Sequence, residues 1–372
     1  MLTSIFYSLL LLILGFCSML LLYIPQIKRF NKILKLDFAM LPFPYMWIFY
    51  SVGLIGSYFF LDNIDIIVPI HFSRIVIPLL LAMVIFFASY IGSTLISTIT
   101  IVVSLAITVY LQPLGNDFPY FIVNEFITKS ILVLFFSVFC IFFRILNIIP
   151  HTIIIPSVIM LLGLTILSTL SASPLYISCC AALFSGSLLG FLNINKNEIV
   201  MPLDNATCCS IAFLLANLFL LDGAELSFPS CIVFSTIFWA EFITALWNKL
   251  FVTREISLEE NTNYYKAANL YTLRILSFSI TKICLFGIFL GWFQLFSVNQ
   301  YSMIIVSTGI LMWMNTSMGL ATQQQSLKEI NKNFINDIKQ NITEAKKTID
   351  SLSNKEDKEE NESKLKLQFI TK

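Results

Sequence analysis

The apolar positions of this chain form long segments separated by short polar stretches. A bilayer core about 30 Å thick needs about 20 apolar residues per helix, and a window of that length predicts about eleven membrane-spanning helices. The predicted spans are 4–24, 44–61, 75–90, 94–111, 127–143, 151–170, 175–192, 206–221, 229–247, 273–296 and 302–320. We therefore expect an all-α fold, a polytopic membrane helical bundle.

The basic residues of the short loops indicate how this bundle is oriented. If the N-terminus faces outward, the cytosolic side collects Lys28, Arg29, Lys32, Lys35, Arg144, Lys196, Lys249, Arg254, Lys266 and Arg274. The outer side then carries only Arg74 and Lys129. This imbalance predicts an N-out, C-in multi-pass protein of the cell's inner (plasma) membrane.

Beyond residue 320 the pattern changes to that of an amphipathic cytoplasmic helix. Apolar residues recur at every third or fourth position: Leu327, Ile330, Phe334, Ile338, Ile342, Ala345, Ile349 and Leu352. We expect a transmembrane domain over 1–320, this helix over 321–354 and a charged, disordered tail over 355–372. The helix would lie on the membrane, pair with a second copy or dock on a partner protein, and its spacing does not single out a coiled coil.

Composition supports the membrane assignment and excludes two kinds of site. Hydrophobic residues make up 57% of the chain and charged residues 12%, with a mean hydropathy of +0.83. The net charge of +1 gives no basic footprint for a nucleic-acid partner. The eight cysteines show no CxxC spacing, so we expect small apolar residues in helix interfaces instead of a zinc site.

The polar side chains on the predicted cytosolic side could meet in one cavity. They include Arg144, Asn147, Asn193, Lys196, Asp204, Asn205, Lys249 and Arg254. Two further charges, Glu241 and Lys282, interrupt apolar helices, where each needs a partner or access to water. As a pair they would lock two helices together, and as separate charges they would line a substrate groove.

The segment LLGFLNINKNEIVMPLDNATCCSIAFLLA, residues 188–216, resembles the polyprenyl-phosphate N-acetylhexosamine-1-phosphate transferases. In that family LLGFLxxN, a spacer and IFMGDxGS occur in this order. The segment WAEFITALWNKLF, residues 239–251, resembles the family helix that ends in PLxD and a basic pair. The resemblance places Asp204 on the aspartate of MGD and Glu241 on the acidic position of PLxD.

The resemblance implies a membrane transferase of cell-envelope glycan synthesis. Its substrates would be a UDP-sugar, which gives up N-acetylhexosamine 1-phosphate, and polyprenyl phosphate, which accepts it. Asp204 would be the catalytic ligand of Mg²⁺, Asn147 a helper at the metal or phosphate, and Glu241 a support behind them. The implied substrate contacts are Arg144, Asn193, Lys196, Asn205, Lys249 and Arg254.

Three departures from the family pattern favour a second hypothesis. The segment FASYIGSTLIS lacks the family's two adjacent aspartates, NIIPHTIII carries Pro150 and Ile153 on aspartate positions, and NTNYY replaces HxHH. Mg²⁺ needs oxygen ligands that these residues do not supply. The second hypothesis is a catalytically inactive relative, a membrane scaffold that binds a partner through its tail. A transporter is the third, with Pro156 and Pro202 as its only hints and no internal repeat.

Overall fold

The computed structural model describes a helical protein. The described residues are 5–20, 70–111, 125–147, 152–170, 175–195, 203–218, 224–252, 273–295, 302–317, 335, 336, 338–340, 342–344 and 346. In chain order the helices are α1 (Ile5–Leu20), α2 (Ile70–Ile91), α3 (Thr94–Leu111), α4 (Glu125–Leu146), α5 (Ile154–Leu170), α6 (Leu175–Asn195), α7 (Asn205–Ala216), α8 (Ala224–Trp247), α9 (Leu273–Leu295) and α10 (residues 302–317). Residues Asn248–Val252 extend α8 as a π-helical turn.

The helices coincide with the apolar segments of the sequence. Each predicted span that the structure describes falls on a helix, and the span predicted at 44–61 lies outside the described residues. Two helices, Thr94–Leu111 and Phe126–Leu146, are long and apolar enough to cross a membrane, by length and composition.

Polar side chains within these helices are satisfied mostly by their own backbone. The hydroxyl groups of Ser137, Ser157 and Thr165 each donate to the carbonyl oxygen four residues earlier, at 2.7–2.8 Å. This local bonding lets a serine or threonine lie in an apolar helix without a partner on another helix. The helices therefore stay apolar despite their many hydroxyl groups.

The short helix α7 lies among α2, α3 and α4. Every residue from Ala206 to Ala216 is buried. A helix of 12 residues rises about 18 Å, so α7 is much shorter than its neighbours. Its small side chains, among them Ala206, Cys209 and Ala212, let three longer helices approach it closely.

A second group of helices consists of α5, α6, α8 and α9, with α1 packed against α6 and α10 against α9. Helices α1 and α6 cross at glycines, since a Cβ atom on Gly15 or Gly186 would collide with the carbonyl oxygen of Leu183 or Leu12. Further along, Gly190 faces Met19. The contacts advance together along both helices, which therefore run parallel.

Aromatic rings join the two groups at the interface of α4 and α8. Phe135 stacks on Trp239 with 4.1 Å between the ring centroids, and Phe142 meets Phe242 edge-on at 5.0 Å. Such aromatic pairs add about 0.5–1.5 kcal/mol beyond their burial. This interface holds α8 beside the end of α4 that carries Arg144.

The chain divides into two compact units, Met1–Gly319 and Leu320–Lys372. In the second unit the described residues, which lie between 335 and 346, are helical and exposed. They fall inside the amphipathic helix predicted over 321–354. The predicted tail at 355–372 lies outside the described residues.

Candidate functional site: the N-terminal end of α7

Asp204 begins α7 as its N-cap. Its backbone is extended (φ −67°, ψ 156°), and its Oδ2 accepts a hydrogen bond from the backbone N–H of Thr207 at 3.2 Å. Its carbonyl oxygen accepts the first helical hydrogen bond, from the N–H of Cys208 at 2.9 Å. Asp204 therefore satisfies a donor that the first turn of a helix otherwise leaves open.

Asn147 ties the end of α4 to the start of α7. Its Nδ2 donates to the carbonyl oxygen of Leu203 at 2.5 Å. Asn147 and Leu203 are both buried, and Leu203 immediately precedes the capping aspartate. The two partners are 56 positions apart in the sequence, and the structure brings them into contact.

Arg144 lies one turn before Asn147, in the last turn of α4, and is half-buried. The charges of Arg144 and Asp204 both act on the thiols of Cys208 and Cys209. Arg144, Asn147 and Asp204 thus surround the first turn of α7. Of the predicted site residues, these three lie near the start of α7.

Weak polar contacts hold the rest of the first half of α7 in place. The Cys209 thiol lies 3.6 Å from the Ser97 hydroxyl on α3, which lies 2.7 Å from the Ser89 hydroxyl on α2. The Ser210 hydroxyl donates to the carbonyl oxygen of Ala82 at 3.1 Å. The Cys208 thiol points to the carbonyl oxygen of Phe143 at 3.7 Å. The two thiols therefore serve helix packing, as expected from their apolar surroundings.

The electrostatic state of Asp204 is set by burial. Only 9% of the residue is exposed, and this burial raises the pKa of its carboxyl above the ordinary value. The hydrogen bond from the Thr207 N–H favours the charged form and offsets part of that rise. The second oxygen, Oδ1, is buried and has no hydrogen-bond partner in the described part of the chain.

The residues around Asp204 fit a magnesium ion poorly. The free Oδ1 of Asp204 is one hard oxygen ligand. Within the described ranges, however, no three His, Cys, Asp or Glu side chains come close enough to hold a metal ion. Mg²⁺ demands near-octahedral oxygen coordination, which one carboxylate does not provide. The described residues around Asp204 therefore do not form a magnesium site.

The other predicted contact residues are spread out. Asn193 at the end of α6, Asn205 at the start of α7 and Lys249 in the turn after α8 are exposed. Lys196 and Arg254 lie outside the described residues. Of this set, only Asn205 adjoins the Asp204 cluster in sequence, and no hydrogen bond described here links it to that cluster.

Glu241 has a hydrogen-bond partner on another helix, Asn315. It is fully buried on α8, where its Oε2 accepts a hydrogen bond from Nδ2 of Asn315 on α10 at 2.7 Å. The Oδ1 of Asn315 is buried and without a hydrogen-bond partner in the described ranges. Lys282 lies exposed on α9. Glu241 thus joins α8 to α10 through Asn315.

Two residues that matter in the structure carry signals that the sequence analysis did not use. Thr207 completes DNAT, an N-cap pattern in which Asp204 stands three residues before the N–H it accepts. Asn315 is an amide in the apolar segment LMWMNTSM, and such a buried amide needs a polar partner. The DNAT pattern predicts the contact of Asp204 with the Thr207 N–H. The amide of Asn315 predicts a polar contact without saying which residue makes it.

The comparisons with known proteins add no relative. No protein-family model and no curated protein matches the chain. The family resemblance therefore rests on the quoted motifs.

Proposed function

We propose that this protein is a catalytically inactive relative of the polyprenyl-phosphate sugar-1-phosphate transferases, which serves as a multi-pass scaffold in the plasma membrane. About eleven spans, an outward N-terminus and a cytosolic tail belong to this proposal. The tail is the part that would bind another protein.

The outer faces of the helices support a bilayer location. Large apolar side chains stay exposed in helical rows, such as Leu80, Val84, Phe87 and Ile91 on α2 or Leu285, Phe289 and Phe293 on α9. A soluble protein rarely exposes such continuous apolar surface, whereas lipid covers it without cost. Serines and threonines instead occupy buried positions, which include Ser104, Thr108 and Ser157.

The helix directions support alternating spans. Tyr110 near the end of α3 lies 2.9 Å from Ser130 near the start of α4, so these two helices are antiparallel. Counting spans then puts the end of α4 and the start of α7 on the same, cytosolic side. The contact of Asn147 with Leu203 agrees with that count.

One observation carries the proposed loss of catalysis. Asp204, which the resemblance places on a family metal position, is buried as the cap of its own helix. Its Oδ2 is bound to the backbone, and burial favours its neutral form. Phosphoryl transfer between two polyanions depends on metal ions and fixed cations to neutralise charge. The described pocket offers one half-buried arginine for that task.

The test is a transfer assay on the full chain in nanodiscs. The protein is mixed with UDP-N-acetylglucosamine, polyprenyl phosphate and Mg²⁺, and released UMP is measured beside Asp204→Asn. An active transferase of this family in the same nanodiscs is the positive control. We expect no UMP above the protein-free background. Release by the wild type that disappears in Asp204→Asn would overturn the proposal.

An active transferase is the second candidate, favoured by the free Oδ1 of Asp204 and the nearby Arg144. In that enzyme Arg144 would bind the diphosphate of the UDP-sugar, because a guanidinium matches phosphate oxygens. Arg144→Gln would then raise KM for the UDP-sugar. The same assay separates the two candidates, since only the active enzyme releases UMP.

A further inference from the structure

The tail contains a strict heptad pattern in residues 335–352. Apolar residues alternate at steps of three and four: Ile335, Ile338, Ile342, Ala345, Ile349 and Leu352. With Ile335 at position a, isoleucine fills every a position, and the d positions hold isoleucine, alanine and leucine. A sustained step of 3.5 residues is the repeat of a left-handed coiled coil. Phe334 and Ile330, on the other rows, lie outside this seam.

Three residues of this seam lie in the described part of the tail, and all three are uncovered. Ile335, Ile338 and Ile342 are 51%, 41% and 62% exposed. The opposite face is occupied by its own contacts, since Nε2 of Gln340 donates to Oε1 of Glu344 at 3.2 Å. One face of this helix is an exposed apolar row, and its polar face makes hydrogen bonds within the helix. The apolar row can therefore be buried only against another surface.

We infer that residues 335–352 form a parallel two-stranded coiled coil with the tail of a second copy of this chain. This inference rests on the proposed function, because it names the protein that the scaffold's tail binds. Isoleucine at a followed by leucine at d, as at Ile349 and Leu352, is the combination that favours two strands in parallel pairs. The small Ala345 at a d position lets the two helices approach closely at the centre of the seam.

The charges beside the seam select the parallel arrangement. The two e positions, which flank the seam, hold Lys339 and Lys346. The two g positions on its other side hold the uncharged Asn341 and Thr348. In a parallel pair each e residue faces a g residue of the other helix, so lysine meets an uncharged partner. In an antiparallel pair e faces e, and lysine would face lysine. Two copies in one membrane also present their tails from the same side.

The length of the seam requires help from the membrane domain. Eighteen residues make about 27 Å of helix, which is short for a free coiled coil. Anchoring both tails beside a bilayer replaces free association with a tethered one, which raises the effective concentration to about the millimolar range. We therefore expect pairing in the full chain, where the membrane domain supplies that tether.

Disulfide trapping in the full chain tests the inference. Ile342→Cys puts a thiol at an a position, where the two copies bring their Cβ atoms together, and Gln340→Cys puts one at an outward f position. After mild oxidation in bicelles, Ile342→Cys should give about tenfold more linked dimer than Gln340→Cys, because a disulfide forms only across a short Cβ separation. The wild type, which carries Cys17 exposed, gives the background.

A second pair of variants tests the seam itself. Ile338→Lys added to Ile342→Cys places a charge at a d position and should abolish the linked dimer. Asn336→Lys adds the same charge at an outward b position and should leave it unchanged. Equal yields from Ile342→Cys and Gln340→Cys, or no effect of Ile338→Lys, would overturn the inference.

The membrane surface is the competing occupant, and lipid quenching identifies it. A fluorophore on Ile342→Cys should not be quenched by brominated lipid chains if the seam faces a second tail. Strong quenching would overturn the inference in favour of a tail that lies on the bilayer. Neither result depends on UMP release, so this inference and the proposed function can fail separately.

Discussion

Two buried carboxylates of this protein are held in opposite ways. Asp204 lies at a helix start and is bound by a backbone N–H of its own helix, at 3.2 Å. Glu241 lies inside a long helix and is bound by the side-chain amide of Asn315 on another helix, at 2.7 Å. The first bond fixes where a helix begins, and the second fixes which helices are neighbours.

This difference explains why the two acids do different work in the fold. A cap is a local device, so its loss frays one helix end and costs about 1 kcal/mol. A bond between buried side chains of two helices leaves its partner unpaired when it is broken, and an unpaired buried group costs about 1–3 kcal/mol. The family resemblance treated Asp204 and Glu241 as one site, whereas the bonds that the structure shows for them lie in different interfaces.

The largest effect should follow from Glu241→Leu. The substitution leaves the Asn315 amide buried without its acceptor, and we expect a loss of about 2 kcal/mol. The buried thiols of α4, α7 and α9 provide the measurement, because a thiol-reactive dye labels them only when the bundle opens on heating. The melting temperature should fall by several degrees.

Two further variants give the controls for that result. Glu241→Gln keeps an acceptor for Asn315 and should melt near the wild type. The double variant Glu241→Leu with Asn315→Leu removes both polar groups and should regain most of the lost stability. A double variant that melts as low as Glu241→Leu alone would show that the bond between these two residues does not carry the effect.

The next effect concerns the bond between α4 and α7. Asn147→Leu removes the donor to the Leu203 carbonyl oxygen and leaves that oxygen buried, at a cost of about 1.5 kcal/mol. The same dye should then label Cys208 faster at a temperature below the melting transition, since the start of α7 opens locally. Asn193→Leu, at an exposed helix end, is the matched control. Equal labelling rates in both variants would contradict the proposed anchor.

Much of the fold follows from the hydrophobic pattern, and particular residues show why. Thr94 and Leu111 bound α3 as the pattern predicted, because an apolar segment flanked by turn residues such as Gly92 can end in few places. The contact of Asn147 with Leu203 agrees with the predicted order of spans, which would put the end of α4 and the start of α7 on one side.

The contacts between distant helices could not be obtained in the same way. The bond between Glu241 and Asn315 depends on the rotation of α8 and α10 about their axes, which hydropathy alone does not fix. The seam at 335–352 was hidden for a related reason. Apolar residues spaced three or four apart can be counted from Phe334 or from Ile335. Only the count from Ile335 gives an uninterrupted heptad repeat through residue 352.

A smaller effect should follow from Asp204→Ala. Alanine cannot accept the Thr207 N–H, so the cap is lost at a cost of about 1 kcal/mol. Asparagine caps helices as well as aspartate does, and Asp204→Asn should therefore retain the wild-type melting temperature near pH 7 within about half that amount. Asn205→Ala, at the exposed next residue, should have no measurable effect. Equal losses from Asp204→Asn and Asp204→Ala would instead identify the charge, and not the cap, as the stabilising feature.

The smallest effect is the pH dependence that Asp204 gives to the stability of the protein. Its sign shows whether burial or favourable electrostatics dominates the pKa of this carboxylate. Burial raises the pKa of Asp204 in the folded protein, so the folded state holds this proton more tightly than the unfolded chain does. The resulting stability is fully present below the ordinary carboxyl pKa of about 3.9 and is lost as the pH rises through the higher folded value.

Melting temperatures of the wild type and Asp204→Asn, compared from about pH 4 to 7, measure this effect, because asparagine keeps the cap but does not titrate. The wild type minus the variant should decline as the pH rises. A difference that grows with pH would mean that Arg144 and the N-terminal dipole of α7 outweigh burial and hold Asp204 charged. In that case the pocket keeps an anionic oxygen beside a guanidinium, and the argument for a silent site at this end of α7 would lose its electrostatic support.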